Sequence, residues 1–170
     1  MMPHLIDPSS AWVMRWSAEF SRGARVLDVA CGTGRNARFL AAQGFVVDAV
    51  DRDIAQFADP PPGVTLLQAD LESSPWPYAG VKFQGIVVTR YLHRPLFPAL
   101  LGALAPGGVL IYETFARGNE RYGKPSNPEY LLASGELLEV VRGKLHVLAY
   151  EEILQEDPRP ALLQRISARL

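Results

Sequence analysis

The chain has 170 residues, a formal charge of −1 at pH 7, 48% hydrophobic and 21% charged residues. That length makes one domain that buries roughly 70% of its unfolded surface, and the near-neutral charge leaves no basic footprint for nucleic acid. A single cysteine excludes an intrachain disulfide and points to a reducing compartment. No apolar run is long enough to span a membrane and the N-terminus lacks a signal-peptide core. The expectation is a cytoplasmic monomer or weak homodimer with no nucleic-acid or membrane partner.

Asp7-Pro8-Ser9-Ser10 reads as a helix start, and Trp12, Trp16 and Phe20 recur every four residues on one face. This predicts, within residues 1–24, an N-terminal helix that packs on a sheet or lids a site. Residues 25–170 then read as a single domain. Residues 25–30 form a short apolar strand that carries Asp28 and runs into Cys31-Gly32-Thr33-Gly34. Residues 36–43 have helical spacing and stop at Gly44, as a left-handed C-cap would have it. A second strand, 45–50, ends at Asp51-Arg52-Asp53, and Pro60-Pro61-Pro62 truncates any helix after it. A third strand, 64–68, ends at Ala69-Asp70-Leu71, and Ser74-Pro75-Trp76-Pro77 is irregular. A fourth, 85–89, ends at Thr89 and precedes Arg90-Tyr91-Leu92-His93-Arg94-Pro95. A helix over 96–104 and the turn Ala105-Pro106-Gly107-Gly108 lead into a fifth strand, 109–114; strands over 145–153 and 161–166 close the chain. The alternation predicts an α/β sheet with helices on both faces.

The glycine turn is where a ligand can approach the backbone, at the carboxyl end of a strand and the amino end of a helix. Gly32-Thr33-Gly34-Arg35-Asn36-Ala37 satisfies the dinucleotide fingerprint G-x-G-x-x-G/A, with Asp51 as the ribose acid roughly 20 residues on. Asp28 argues against that reading, because a carboxylate beneath the turn repels a pyrophosphate and attracts a cation. S-adenosylmethionine (SAM) carries a sulfonium and an ammonium. Acids at the ends of three strands, Asp28, Asp51 and Asp70, suit such a ligand: Asp51 accepts both ribose hydroxyls, and Asp70 accepts from an adenine amino group with Leu71 beside the ring.

With these landmarks the chain resembles the class I SAM-dependent methyltransferases from Arg25 onward, and its length and Gly-Arg-Asn sequence are similar to the small tellurite-resistance type. The resemblance implies a doubly wound, Rossmann-like, seven-stranded, mostly parallel sheet with the last strand antiparallel. It implies that the turn formed by Asp28, Ala30, Cys31, Gly32 and Gly34 holds the methionine part of SAM. Asp51 and Arg52 then lie at the ribose, Asp70 and Leu71 at the adenine, and Thr89 at the end of the fourth strand. The Leu-x-Pro-Gly-Gly turn of the family matches Leu104 to Gly108. Three positions depart from the pattern: Ala30 replaces the first glycine of the turn, Gln84 stands where an aspartate begins the fourth strand, and Arg90 replaces a small or amide residue. Cys31, between an apolar neighbour and the turn, reads as a structural thiol.

Acceptor contacts should come from the loops after the fourth and fifth strands. Those loops carry Arg90, Arg94, Arg117, Arg121 and Lys124 against Glu113 and Glu120. The local excess of arginine motivates an anionic acceptor held by Arg90, Arg117 and Arg121, with Tyr112 orienting it. Arg90, Tyr91 and His93 are the candidate catalytic groups, His93 as the base where the acceptor carries a proton. His4 and His146 fall away from this edge, and no ligand spacing suggests a metal. The expected function is methyl transfer from SAM, leaving S-adenosylhomocysteine (SAH), to a small molecule. A SAM-binding sensor or partner subunit without catalysis is the main alternative. An NAD-linked oxidoreductase is disfavoured by Asp28, Asp70 and the Pro-Gly-Gly turn.

Overall fold

A computed structural model describes residues 6–170, so His4 lies outside the described residues. The strands are β1 (Arg25–Val29), β2 (Val46–Asp51), β3 (Val64–Gln68), β4 (Phe83–Thr89), β5 (Leu104–Phe115), β6 (His146–Gln155) and β7 (Ala161–Arg169). They form one sheet in the order β3-β2-β1-β4-β5-β7-β6. β1 to β5 pair in parallel, and β7 runs antiparallel to both β5 and β6. This is the doubly wound sheet with a reversed last strand. Its order turns back between β1 and β4, which opens a crevice at their carboxyl ends.

The helices α1 (Ala11–Trp16), α2 (Arg35–Ala42), α3 (Phe97–Gly102) and α4 (Glu136–Val141) cover both faces. On one face Trp12, Val13 and Leu40 pack with Val26, Val87 and Ile111; on the other Leu100, Leu137 and Val141 pack with Leu27, Ile86 and Leu110. Successive strand residues point to opposite faces, and both faces are covered, so the strands read as unbroken apolar runs. The expected caps are in place. Ser10 caps α1, its hydroxyl accepting from the Val13 N–H at 3.3 Å, and Gly44 leaves α2 in the left-handed region at φ +90°.

The prolines act as expected after β2, where a 3₁₀ turn, Ile54–Gln56, stands in place of a helix. β3 is consequently an edge strand with thin cover, and Leu67 is exposed. Other boundaries move. β4 begins at Phe83, and the helix expected over 96–104 is split into a 3₁₀ turn, Arg94–Leu96, and α3, with a proline in the first turn of each. α4, six residues between Gly135 and Gly143, was not anticipated from the sequence. Gln84 does the work of the missing aspartate, accepting from the Arg25 N–H at 2.9 Å to tie β1 to β4. The Pro-Gly-Gly turn loops out between the Phe83–Leu104 and Gly85–Val109 pairings.

Gly85 in β4 is required by the N-terminal segment: a Cβ there would lie 2.6 Å from the ring of Phe20. Gly85→Ala should therefore destabilise the chain by about 1–3 kcal/mol through overpacking, at about 2–4 °C per kcal/mol for this length. An unchanged melting temperature would show that Phe20 is not wedged against the sheet.

Candidate active site

The β1–α2 corner is built around buried polar groups. Asn36, in the first turn of α2, is buried; its Oδ1 accepts from the Ser9 hydroxyl at 2.9 Å and the Ser10 N–H at 3.0 Å, and its Nδ2 donates to Thr89 Oγ1 at 2.9 Å. Arg35 donates to the Pro8 carbonyl at 3.0 Å and to Thr89 Oγ1 at 3.3 Å. These bonds, with the one from Arg90 to Asp7, strap residues 7–10 across the carboxyl edge of the sheet. Ser10 donates its hydroxyl to Glu113 Oε1 at 2.8 Å, and Glu113 is in turn bound by Arg165. Gly34 turns the chain at φ +81° with the Phe57 ring against it; a Cβ there would lie 2.4 Å from that ring.

Three acids stand at this edge in different states. Asp28 is 1% exposed. Burial pushes its carboxyl up to about 7, opposed by the Ala37 backbone amide and the charge of Arg35. Its Oδ2 has no hydrogen-bond partner among the described residues. Asp51 accepts from the Gly32 N–H at 2.8 Å and the Asp53 N–H at 3.0 Å, so it closes over the glycine turn. Asp70 is held below the usual carboxylate range by the Ser73 hydroxyl and the Glu72 amide, which donate at 2.8 and 3.0 Å. Each carboxylate oxygen keeps a further lone pair for a ligand.

Two adjoining cavities open here. A cleft of about 360 Å³ runs from Ala30 and Gly32 past Asp51, Arg52 and Gln56 to Ala69, Asp70 and Leu71. A cavity of about 260 Å³ lies beyond it, lined by Leu92, Thr114, Phe115 and Pro125. Glu72, Arg90, Tyr91 and Tyr130 line both. Ala30 and Arg90, at the ends of β1 and β4, both have φ +54°, a conformation that is costly for a side-chain-bearing residue and clusters at functional sites.

The expected site residues separate accordingly. Ala30, Gly32, Asp51, Arg52, Asp70, Leu71, Arg90 and Tyr91 face the cleft. Asp28, Cys31, Gly34 and Thr89 lie behind its wall; Cys31 is buried, and burial pushes its thiol up, as suits a structural residue. His93 stands behind Glu72, with Nδ1 3.6 Å from Oε1. Tyr112 is fully buried and donates its hydroxyl to the Tyr91 carbonyl at 2.7 Å, so it fixes the Tyr91 backbone and reaches neither cavity. Arg117 and Arg121 line neither cavity. Arg94 is a clamp: it forks onto Glu136 at 2.8 and 3.0 Å and bonds the Glu129 and Leu131 carbonyls. Glu72 and Tyr130, which sequence reasoning missed, occupy the junction. Glu72 lies two residues beyond Asp70 and was within reach of the same reasoning; Tyr130 arrives by a loop with no local signal.

The sequence profile of a methyltransferase domain matches residues 4–139. The chain belongs to this methyltransferase family. Comparison with curated protein sequences gives no match. Among solved structures, this methyltransferase is similar to TehB from Haemophilus influenzae, with TM-score 0.76 and 19% identity over 92% of the chain; it spans 60% of that protein's length. It is also similar to a SAM-dependent methyltransferase from Mesorhizobium loti, with TM-score 0.70 and 20% identity over 95% of this chain and 99% of that one. A TehB-like SAM-dependent methyltransferase from Corynebacterium glutamicum gives 0.69 and 20% over 95% and 88%. At these identities the likeness is one of fold. Among the described residues no helix is long and apolar enough to cross a membrane, and no cluster of His, Cys, Asp and Glu could hold a metal.

The residues fit a cationic cofactor at the turn, because the unpartnered oxygen of Asp28 lacks a donor or a positive charge. Without one, the fold favours its protonated form. Its folded value near 7 exceeds the unfolded value of about 3.9. The associated stability is fully present below about pH 4 and is lost as pH rises to 7. Asp28→Asn should remove this dependence, so the variant gains in melting temperature relative to the parent between pH 4 and pH 8. A constant difference across that range would show that Asp28 ionises normally.

Proposed function

We propose that this methyltransferase binds SAM in the cleft of about 360 Å³ and transfers its methyl group to a small molecule in the adjoining cavity of about 260 Å³, releasing SAH. The observation that carries this reading is the wall the two spaces share: Glu72, Arg90 and Tyr91, which follow the carboxyl ends of β3 and β4, and Tyr130 from the loop after β5. The turn from Ala30 to Gly34 would hold the methionine part, with Asp28 beneath it. Asp51 and Arg52 would meet the ribose, and Asp70 and Leu71 the adenine. SAM supplies a methyl group already activated by the sulfonium.

The protein's own task is to bring the acceptor lone pair behind that methyl group, and good orientation alone can lower a barrier by roughly 7–11 kcal/mol. Arg90 and Tyr91 flank the junction, with His93 behind Glu72. Of the arginines expected to clamp an anion, Arg90 alone reaches the cavities. Its Nη1 already donates to Asp7 Oδ2 at 3.0 Å, so an anionic acceptor would compete with Asp7. The strap of residues 7–10 would act as a partial lid.

Thermal unfolding with SAH, with NAD as control, tests the cofactor half. At about 100 times its dissociation constant SAH should add roughly 2.7 kcal/mol, or about 5–10 °C. NAD should give no shift, and Asp51→Ala should abolish the response to SAH. A shift with NAD alone would overturn the proposal in favour of an oxidoreductase.

A further inference from the structure

We infer that the acceptor is an amine carried on a small apolar or aromatic body, with Glu72 as its counter-charge; this rests on the methyltransferase function proposed above. The outer cavity is lined by the aromatic residues Tyr91, Phe115 and Tyr130, by Leu92 and Pro125, and by Glu72 on the wall shared with the cleft. Aromatic faces carry negative potential and attract a cation. A carboxylate sharing a cavity lining with three aromatic residues makes a site for an ammonium group.

The charges around the cavity agree. Arg90, the one cation on its lining among the described residues, is already paired with Asp7. Among the described residues neither lysine nor arginine pairs with Glu72, whose basic neighbour is His93. Burial, then the charge of Glu72, with smaller contributions from Asp70 and Asp51, holds the proton on the Tyr91 phenol. An anion entering here must share Arg90 with Asp7 and tolerate Glu72 beside it. An ammonium would meet the Glu72 carboxylate and give it one proton; the neutral amine nitrogen would then carry the lone pair that takes the methyl group, the carbon–sulfur bonding pair staying on sulfur as SAH. Of the arginines in these loops, Arg90 and Arg94 pair with Asp7 and Glu136, and Arg117 and Arg121 line neither cavity.

Calorimetry on the full chain saturated with SAH tests this with two probes of the same skeleton and opposite charge, phenethylamine and 3-phenylpropionate. Phenethylamine should bind at least about tenfold more tightly, since the pair differ by one charge-assisted contact. Glu72→Gln, with its melting temperature checked, should weaken phenethylamine roughly 10–100-fold and leave 3-phenylpropionate no weaker than before. If SAH binds but 3-phenylpropionate is preferred, neither probe binds, or the substitution leaves amine affinity unchanged, the amine assignment is overturned while the cofactor site stands. If SAH itself does not bind, both fall together.

Discussion

A carboxylate buried in a sheet covered on both faces costs several kcal/mol when ionised and incompletely paired. Asp28 is in that position, and the β1–α2 corner is arranged around it. One side of the group is met by the Ala37 amide and the field of Arg35; the other oxygen is left open. Arg35 is itself disfavoured as a cation by burial and is held by Thr89 and the Pro8 carbonyl. Asn36 completes the link between α2, β4 and the N-terminal strap. The polar groups that close the sheet's switch point are thus the ones that leave a single unmet demand, for positive charge or a donor, beneath the glycine turn.

A second set of ion pairs ties together the elements around the outer cavity. Glu113 at the end of β5 is bound by Arg165 of β7, which reaches Glu151 of β6 at 3.0 Å, while Ser10 closes the network from the N-terminal side. Arg94 pins the long loop after β5 through Glu136 and two carbonyls, and Asn119 fixes its bend by donating to the Pro125 carbonyl and accepting from the Leu162 N–H, both at 3.0 Å. Pro125 and Tyr130 are thereby presented to the cavity by a loop anchored at both ends, beside Phe115 at the end of β5. Removing one partner of such a buried pair is far more damaging than the pair's net worth, because it strands the other charge.

The parallel strands, the glycine turn and the acids at strand ends were legible in the sequence because each has a local signature: an apolar run, a pair of glycines, a carboxylate at a boundary. The roles of the arginines were not. Arg94 and Glu136 are 42 residues apart and Arg90 and Asp7 are 83, so counting charges loop by loop makes both arginines look free. Tyr112 was misplaced for the opposite reason. Strand alternation turns it into the α3 face, against Phe97, although its neighbours Glu113 and Thr114 approach the site edge. α4 is a single short apolar segment between glycines, with too few turns for helical periodicity to show.

The most direct measurement is a crystal structure of the chain with SAH. The ligand should lie along the cleft with its ribose on Asp51 and its adenine between Asp70 and Leu71, its sulfur directed at Arg90 and Tyr91, and the open oxygen of Asp28 satisfied by the ligand or by a water bridging to it. SAH bound away from the three acids, or an Asp28 oxygen still unpartnered beneath a filled cleft, would contradict the role assigned to the buried carboxylate.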